Sequence, residues 1–472
     1  MSLPGLGALS NRAPEYQKQN TLVFDELGRL RYAALSRRVL ALPLEVLAEI
    51  FEHCLPAVEF VSPDPATAPL VLCDVCHHWR VVALTTPMLW SSLSIDMEFL
   101  DETHWDAYVY LYQTWLSRAQ QAPLTLSIQN LALLRHSQYL HPVLQAIARM
   151  SAQWRTIEFD PTEDDTQLLF LNEEATSPHF PLLEKVSYIN TESDWQSTLA
   201  SRLSNAPRLR ELCTNSFPLT LPEDFPWAQI NTFETRHATL SSCFYVLDRA
   251  VNLVQGTFRI WIDDVDAVPT SVATLDHLEA LSIDASPHDD EPFFIPTQAT
   301  PLSVLRHLKT PALKHLILRH DPFEPHPADI SPFFSWQSRS AAQLQSLELC
   351  RVPASGDTLI SCLKVVPSLT QLRLRFLHNV DLNPLFVQFT AISFLPKLET
   401  MHCQLNNARL DPHTLAKMLR WRWDAVGVTR LRLFWVVKWN DAEFFEAISV
   451  ELEGLQSEGM DLRYGNEVVR GG

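Results

Sequence analysis

From about residue 122 onward the chain repeats one spacing of apolar and polar positions. An apolar residue is followed by two variable ones and then by an apolar–x–apolar alternation. The pattern reads LEKVSYI at 183–189, LREL at 209–212, LEALSID at 278–284 and LKHLILR at 313–319. It continues as LQSLELC at 344–350, LTQLRLR at 369–375, LETMHCQ at 398–404 and VTRLRLF at 428–434. WRTIEFD at 154–160 is a weaker early copy, and fainter ones lie near Ile230 and Leu253. First positions stand roughly 25 to 35 residues apart. Alternation at period two marks a short strand with its apolar side chains on one face. Between these strands lie stretches of helical spacing, such as 358–366 and 441–455. The expectation for 96–472 is an α/β array of strand–helix repeats. One such repeat cannot bury its own apolar face, so repeats must stack.

The pattern changes in residues 42–93. Leu47, Ile50, Phe51 and Cys54 recur at steps of three and four, with Pro43 at the first turn and Pro56 just beyond the end. That spacing predicts a short amphipathic helix. From Pro69, the residues Leu72, Cys73, Val75, Cys76, Trp79, Val82 and Ala83 predict one longer helix with Cys73 and Cys76 on its buried face. TTPMLW at 85–90 then predicts a final turn starting at Pro87.

These residues carry a resemblance. Leu42-Pro43-x-Glu45-Val46-Leu47-x-x-Ile50-Phe51-x-x-Cys54, then Val75-Cys76-x-x-Trp79-Arg80-x-x-Ala83, then Pro87-x-Leu89-Trp90 resembles an F-box of the kind found in F-box-like proteins of mushroom-forming fungi. The later strand–helix pattern resembles an irregular leucine-rich-repeat solenoid, although the Asn that usually follows the strand is missing. The resemblance implies a helical F-box over 36–95 that docks a Skp-type adaptor, and through it a cullin–RING ubiquitin ligase. Leu42, Pro43, Val46, Ile50, Phe51, Trp79 and Trp90 match the docking pattern. Each has a competing role in the core of the unit, above all Phe51 and Trp79. The repeats over 96–472 would hold a protein substrate, the chain itself being no enzyme. The alternative is an F-box scaffold that regulates or holds a partner without proteolysis. This chain departs from the family in AVEFVSPDPATA at 57–68, which lengthens the first interhelical loop. Loop length costs little free energy.

Composition narrows the remaining classes. The 472 residues are 46% hydrophobic and 19% charged, enough for a large core. Residues 1–35 are expected to be partly disordered, with a short helix over Leu22–Leu40. The net charge of −18 makes nucleic acid or an anionic membrane a poor partner. No basic stretch leads into an apolar one near the start, and no long apolar run occurs, so a cytoplasmic or nuclear location is expected.

Cys73-x-x-Cys76-His77 has the spacing of c-type haem attachment, but there is no export signal and no second Cys pair to complete a zinc site. Neither cofactor nor metal is expected. The usual nucleophile, phosphate-loop and metalloprotease motifs are missing, and only 11 glycines are present. Asp263-Asp264-x-Asp266 and His288–Glu291 read as solvated turns.

One constellation points to binding. In the later strands the residues between the apolar ones include His315 and Arg319, Arg373 and Arg375, His402, and Arg430 and Arg432, with Glu348 interrupting. They would line the open face of the strands. Two readings follow. Either the arginines solvate strand edges and pair with nearby glutamates, or their planar forks hold an acidic or phosphorylated segment of a partner protein.

Overall fold

The alternating segments do form strands, and the chain is mixed α/β. The computed structural model describes residues 42–96, 104–129, 141–159, 179–188, 203–216, 225–262, 271–285, 301–320, 330–352, 355–376, 380–405, 408–437 and 442–465. Residues 1–35, Asp160, Asp263–Asp266 and His288–Glu291 lie outside them. The chain divides into two compact units, residues 1–94 with 110–125 and residues 95–109 with 126–472.

In the first unit Pro43 caps α1 (Leu44–Glu52), and its missing N–H would have had no partner there. Leu47 and Phe51 point inward and are buried. The single longer helix expected from Pro69 is instead two, α2 (Leu70–Val75) and α3 (His77–Thr85). Cys76 between them is fully extended, with φ −162° and ψ 168°. Its Sγ accepts a hydrogen bond from the Trp79 N–H at 3.5 Å, so a thiol does the work of an N-cap hydroxyl. Arg80 closes the other side of the break. Its Nε donates to the Cys73 carbonyl at 2.6 Å, and its guanidinium pairs with Asp74 at 3.1 Å. Cys73 and Cys76 therefore do not share a helix face.

The core of this unit is aromatic. Trp79 meets Phe51 with ring centroids 4.9 Å apart. Trp90, on the turn Pro87–Trp90, is fully buried and donates its indole N–H to the Ala83 carbonyl at 2.8 Å. Trp115, on α4 (Trp105–Ala119), packs edge-on against Trp90 at 4.9 Å, and the Arg118 guanidinium lies 4.4 Å over the Trp90 ring. The lengthened loop is anchored as well. Val61 is buried, its N–H donates to Ser92 Oγ, and its carbonyl accepts from the Ser94 N–H.

The strands are β1 (Ser92–Asp96), β2 (Leu124–Gln129), β3 (Trp154–Phe159), β4 (Lys185–Tyr188), β5 (Glu211–Ser216), β6 (Thr232–Thr239), β7 (Gln255–Ile262), β8 (Ala273–Thr274), β9 (Ala280–Ala285), β10 (Leu308–Lys309), β11 (His315–His320), β12 (Ser346–Cys350), β13 (Gln371–Arg375), β14 (Thr400–Gln404), β15 (Leu433–Val437) and β16 (Asp461–Gly465). Fourteen of them form one open sheet in chain order, and β8 with β10 forms a separate small pair. Neighbouring strands from β3 to β16 run parallel. The described residues also form thirteen α-helices, including α5 (His141–Arg149), α6 (Leu240–Arg249), α7 (Pro301–Leu305), α8 (Ser331–Ser340), α9 (Gly356–Lys364), α10 (Asn383–Gln388), α11 (Pro412–Asp424), α12 (Ala442–Glu446) and α13 (Ser449–Ser457).

Register explains the sequence pattern. Leu281, Leu316, Leu347, Leu372, Met401, Phe434 and Leu462 are paired in one row across β9 to β16, and all are buried. Each such burial is worth about 2 kcal/mol. Ahead of each strand one further rung extends the ladder. Lys314 N–H donates to Glu279, Gln345 to Lys314, Thr370 to Gln345, Glu399 to Thr370, Arg432 to Glu399 and Asp461 to Arg432, all at 2.8–2.9 Å.

Buried side chains tie neighbouring segments together. Arg422 of α11 is fully buried without a carboxylate; its guanidinium donates to the carbonyls of Phe389, Leu395 and Phe394 at 2.9, 3.0 and 2.5 Å. Burial lowers its pKa to about 10. Arg339 of α8, half-buried, donates from Nη2 to the carbonyls of Leu305, Arg306 and Leu308. Gly356 opens α9 where any Cβ would collide with the Asp381 carbonyl oxygen.

Candidate functional site: an apolar helical surface and a charged strand face

Two surfaces carry the candidate residues. The first belongs to the helical unit. Leu47 and Phe51 hold one side of α1 in the core, while Val46 and Ile50, also four residues apart, face outward and are 41% and 43% exposed. Pro43 extends that outer stripe and is exposed, and Leu42 is half-buried. Trp79 is half-buried against Phe51. Phe51 and Trp90 are fully buried, so they shape this unit from within rather than present surface. Spacing alone placed Ile50, Cys54 and Val75 on buried faces, yet all three are exposed. Val71, Val81 and Met88 are exposed too, residues the sequence reading did not single out. An apolar side chain standing alone at a surface is ordinary, and here Val46, Ile50, Val71, Val75, Val81 and Met88 are each at least 36% exposed.

Cys73 and His77 lie on different helices, α2 and α3, with the extended Cys76 between them. Among the described residues no group of three or more His, Cys, Asp or Glu is placed to hold a metal ion. Burial pushes the Cys73 thiol up against the opposing pull of Arg118.

The second surface is the strand face of the other unit. One row of side chains crosses it in register, Ser282, Ile317, Glu348, Arg373, His402, Trp435 and Arg463. Glu348 does not interrupt a basic stripe but sits at its centre, only 2% exposed. Arg319 Nη2 lies 3.2 Å and Arg375 Nη1 3.4 Å from its Oε1, and Arg373 Nη1 lies 3.5 Å from its Oε2. Arg319 also approaches Asp284 at 3.9 Å, and Arg375 Nε donates to Gln404 Oε1 at 3.5 Å. A buried carboxylate needs such company, because an unpaired charge in the interior is costly.

The stripe ends where β15 begins. Arg430 and Arg432 precede that strand, three residues out of the register their alternation suggests. Arg432 spends its backbone N–H on the rung to Glu399, and the Arg430 guanidinium lies 5.2 Å over the Trp423 ring. Trp435 occupies the row instead, stacked on His402 with centroids 4.2 Å apart and planes 3° from parallel. Burial, with Arg375 and Arg373 close by, lowers the His402 pKa to about 4, so the imidazole is neutral at physiological pH. His315 lies exposed at the start of β11, outside this cluster.

A scan against protein-family models and a search of curated proteins both find no match to this chain. No helix among the described residues is long and apolar enough to cross a membrane.

Proposed function

We propose that the chain is the substrate-recognition adaptor of a cullin–RING ubiquitin ligase. In this reading the first unit is an F-box that docks a Skp-type adaptor in the cytoplasm or nucleus. The strands and helices after it form a leucine-rich-repeat solenoid whose open strand face captures a protein target. The single observation that carries the reading is α1, which buries Leu47 and Phe51 while holding Val46 and Ile50 out to solvent within a motif that resembles an F-box. A two-sided apolar helix on a small unit calls for a second partner. The chain contributes no chemistry of its own. Ubiquitin transfer is left to other subunits, and holding a target lysine near the charged carrier raises its effective concentration.

The test is a pulldown of a Skp-type adaptor by the purified chain, beside a Leu42→Ala/Pro43→Ala variant checked for folding by circular dichroism. Binding by the intact chain and its loss in the folded variant support the docking role. No binding by the intact chain overturns it. Docking with a bound target whose abundance never responds to the chain would assign it the scaffold role instead.

A further inference from the structure

The cluster around Glu348 has more positive charge than its own carboxylate can use. Three guanidiniums surround one carboxylate, which leaves an excess of two charges, or one if Asp284 at 3.9 Å from Arg319 is counted as well. Glu348 is buried among them; Arg319 turns its three nitrogens to Glu348 and Asp284, and Arg375 turns two of its own to Glu348 and Gln404, which leaves Arg373 with the most donor capacity open. Arg373 is the most open, with 54% of its side chain exposed and a single 3.5 Å contact to Glu348. A guanidinium has five donors in a planar fork, and one shared carboxylate cannot satisfy three of them.

Beside this cluster lies a flat apolar platform. His402 and Trp435 follow Arg373 in the same row, on the next two strands, and stack face to face. The neutral imidazole adds no charge, which keeps the cationic site compact and the platform aromatic. Neighbouring strands stand about 4.8 Å apart, so Trp435 lies roughly 10 Å across the sheet from Arg373. An extended polypeptide covers that distance in about three residues.

We infer that the Glu348-centred arginines bind a phosphomonoester on a partner polypeptide, with an apolar or aromatic side chain about three residues away resting on His402 and Trp435. The excess positive charge favours a dianion, and the platform beside it favours a side chain over a bare ion. Glu348 acts as a positioning residue that holds the forks ready. The inference rests on reading this face as the capture surface, but it does not depend on the helical unit docking an adaptor.

The experiment is fluorescence anisotropy of the full chain with a labelled peptide pool. The pool carries a central phosphoserine with an aromatic residue three positions away, and is compared with the same pool carrying serine. Free inorganic phosphate serves as competitor. The expected result is about ten-fold tighter binding of the phosphorylated pool, lost on Arg373→Gln/Arg375→Gln and weakened a few-fold by Trp435→Ala with the phosphate preference kept. If the arginine double variant fails to fold, the triple variant that adds Glu348→Gln removes the stranded buried carboxylate and reads the same loss. Equal binding of the two pools overturns the inference, as does full retention of binding in a folded arginine variant. Displacement by inorganic phosphate at the peptide's own concentration would reassign the site to free phosphate and overturn the polypeptide partner. Adaptor pulldown is unaffected by any of these variants, so failure here and failure of the docking role are told apart.

Discussion

The helical unit and the strand face solve opposite problems. In the helical unit, spacing draws the motif clearly, but apolar residues occupy both sides of α1. Leu47 and Phe51 are buried while Val46 and Ile50 are not, although each pair is four residues apart. On the strand face the inward residues are unmistakable, and the uncertainty lies in the charges between them. There Glu348, on β12, is buried among three arginines that come from the strands on either side of it, Arg319 from β11 and Arg373 and Arg375 from β13. The contrast teaches that periodicity reports which residues can share a face, and that only tertiary neighbours decide which face is covered and which charge is answered.

The greatest loss is expected in the core of the helical unit. Phe51→Ala removes a fully buried ring from the Trp79 contact and is expected to cost about 3–5 kcal/mol, read as a loss of the first unit's cooperative melt. Val46→Asp/Ile50→Asp, on the exposed side of the same helix, should leave that melt within about 1 kcal/mol of the parent. Equal destabilisation by both would show that the two sides of α1 are not distinct.

In the strand unit Arg422→Leu strands three carbonyls that its guanidinium now satisfies, and denaturant titration should show a loss of about 3 kcal/mol. Glu348→Ala should cost less, on the order of 1–2 kcal/mol, because the arginines it releases are partly open to water and can be screened. Raised salt should narrow that deficit.

The last effect is absent at neutral pH and appears only on acidification. His402 is depressed in the folded chain from an ordinary value of 6.5 to about 4, so the unfolded chain binds the extra proton between those values. Stability is therefore fully present above pH 6.5 and is lost as pH falls from 6.5 toward 4, by on the order of 2 kcal/mol. Thermal melts of the parent and His402→Phe across this range should converge at neutral pH and separate below it, with the variant less sensitive.

Much of the fold was legible because its signals are local. LKHLILR, LQSLELC and LTQLRLR alternate strictly and became β11, β12 and β13. VTRLRLF misled because Val428, Leu431 and Leu433 alternate as well as Leu431, Phe434 and Val436 do. The pairing of Leu433–Val437 with Thr400–Gln404, led by the hydrogen bond from the Arg432 N–H to the Glu399 carbonyl, selects the second set. That three-residue slip removed Arg430 and Arg432 from the strand face and brought in Trp435. The break at Cys76 was hidden for a chemical reason, since cysteine is not among the usual capping residues. β1, β2 and β16 went unread because SLSID, LTLSIQ and DLRYG lack the leading apolar residue and spacer of the repeat.

In the proposed function the exposed side of α1 docks an adaptor while the arginine face remains available for a target. The most direct measurement compares adaptor affinity for two folded variants, Val46→Asp/Ile50→Asp and Arg373→Glu/Arg375→Glu, by calorimetric titration. The first variant is expected to abolish binding and the second to match the parent. Binding that survives the first variant, or is lost in the second, would contradict it.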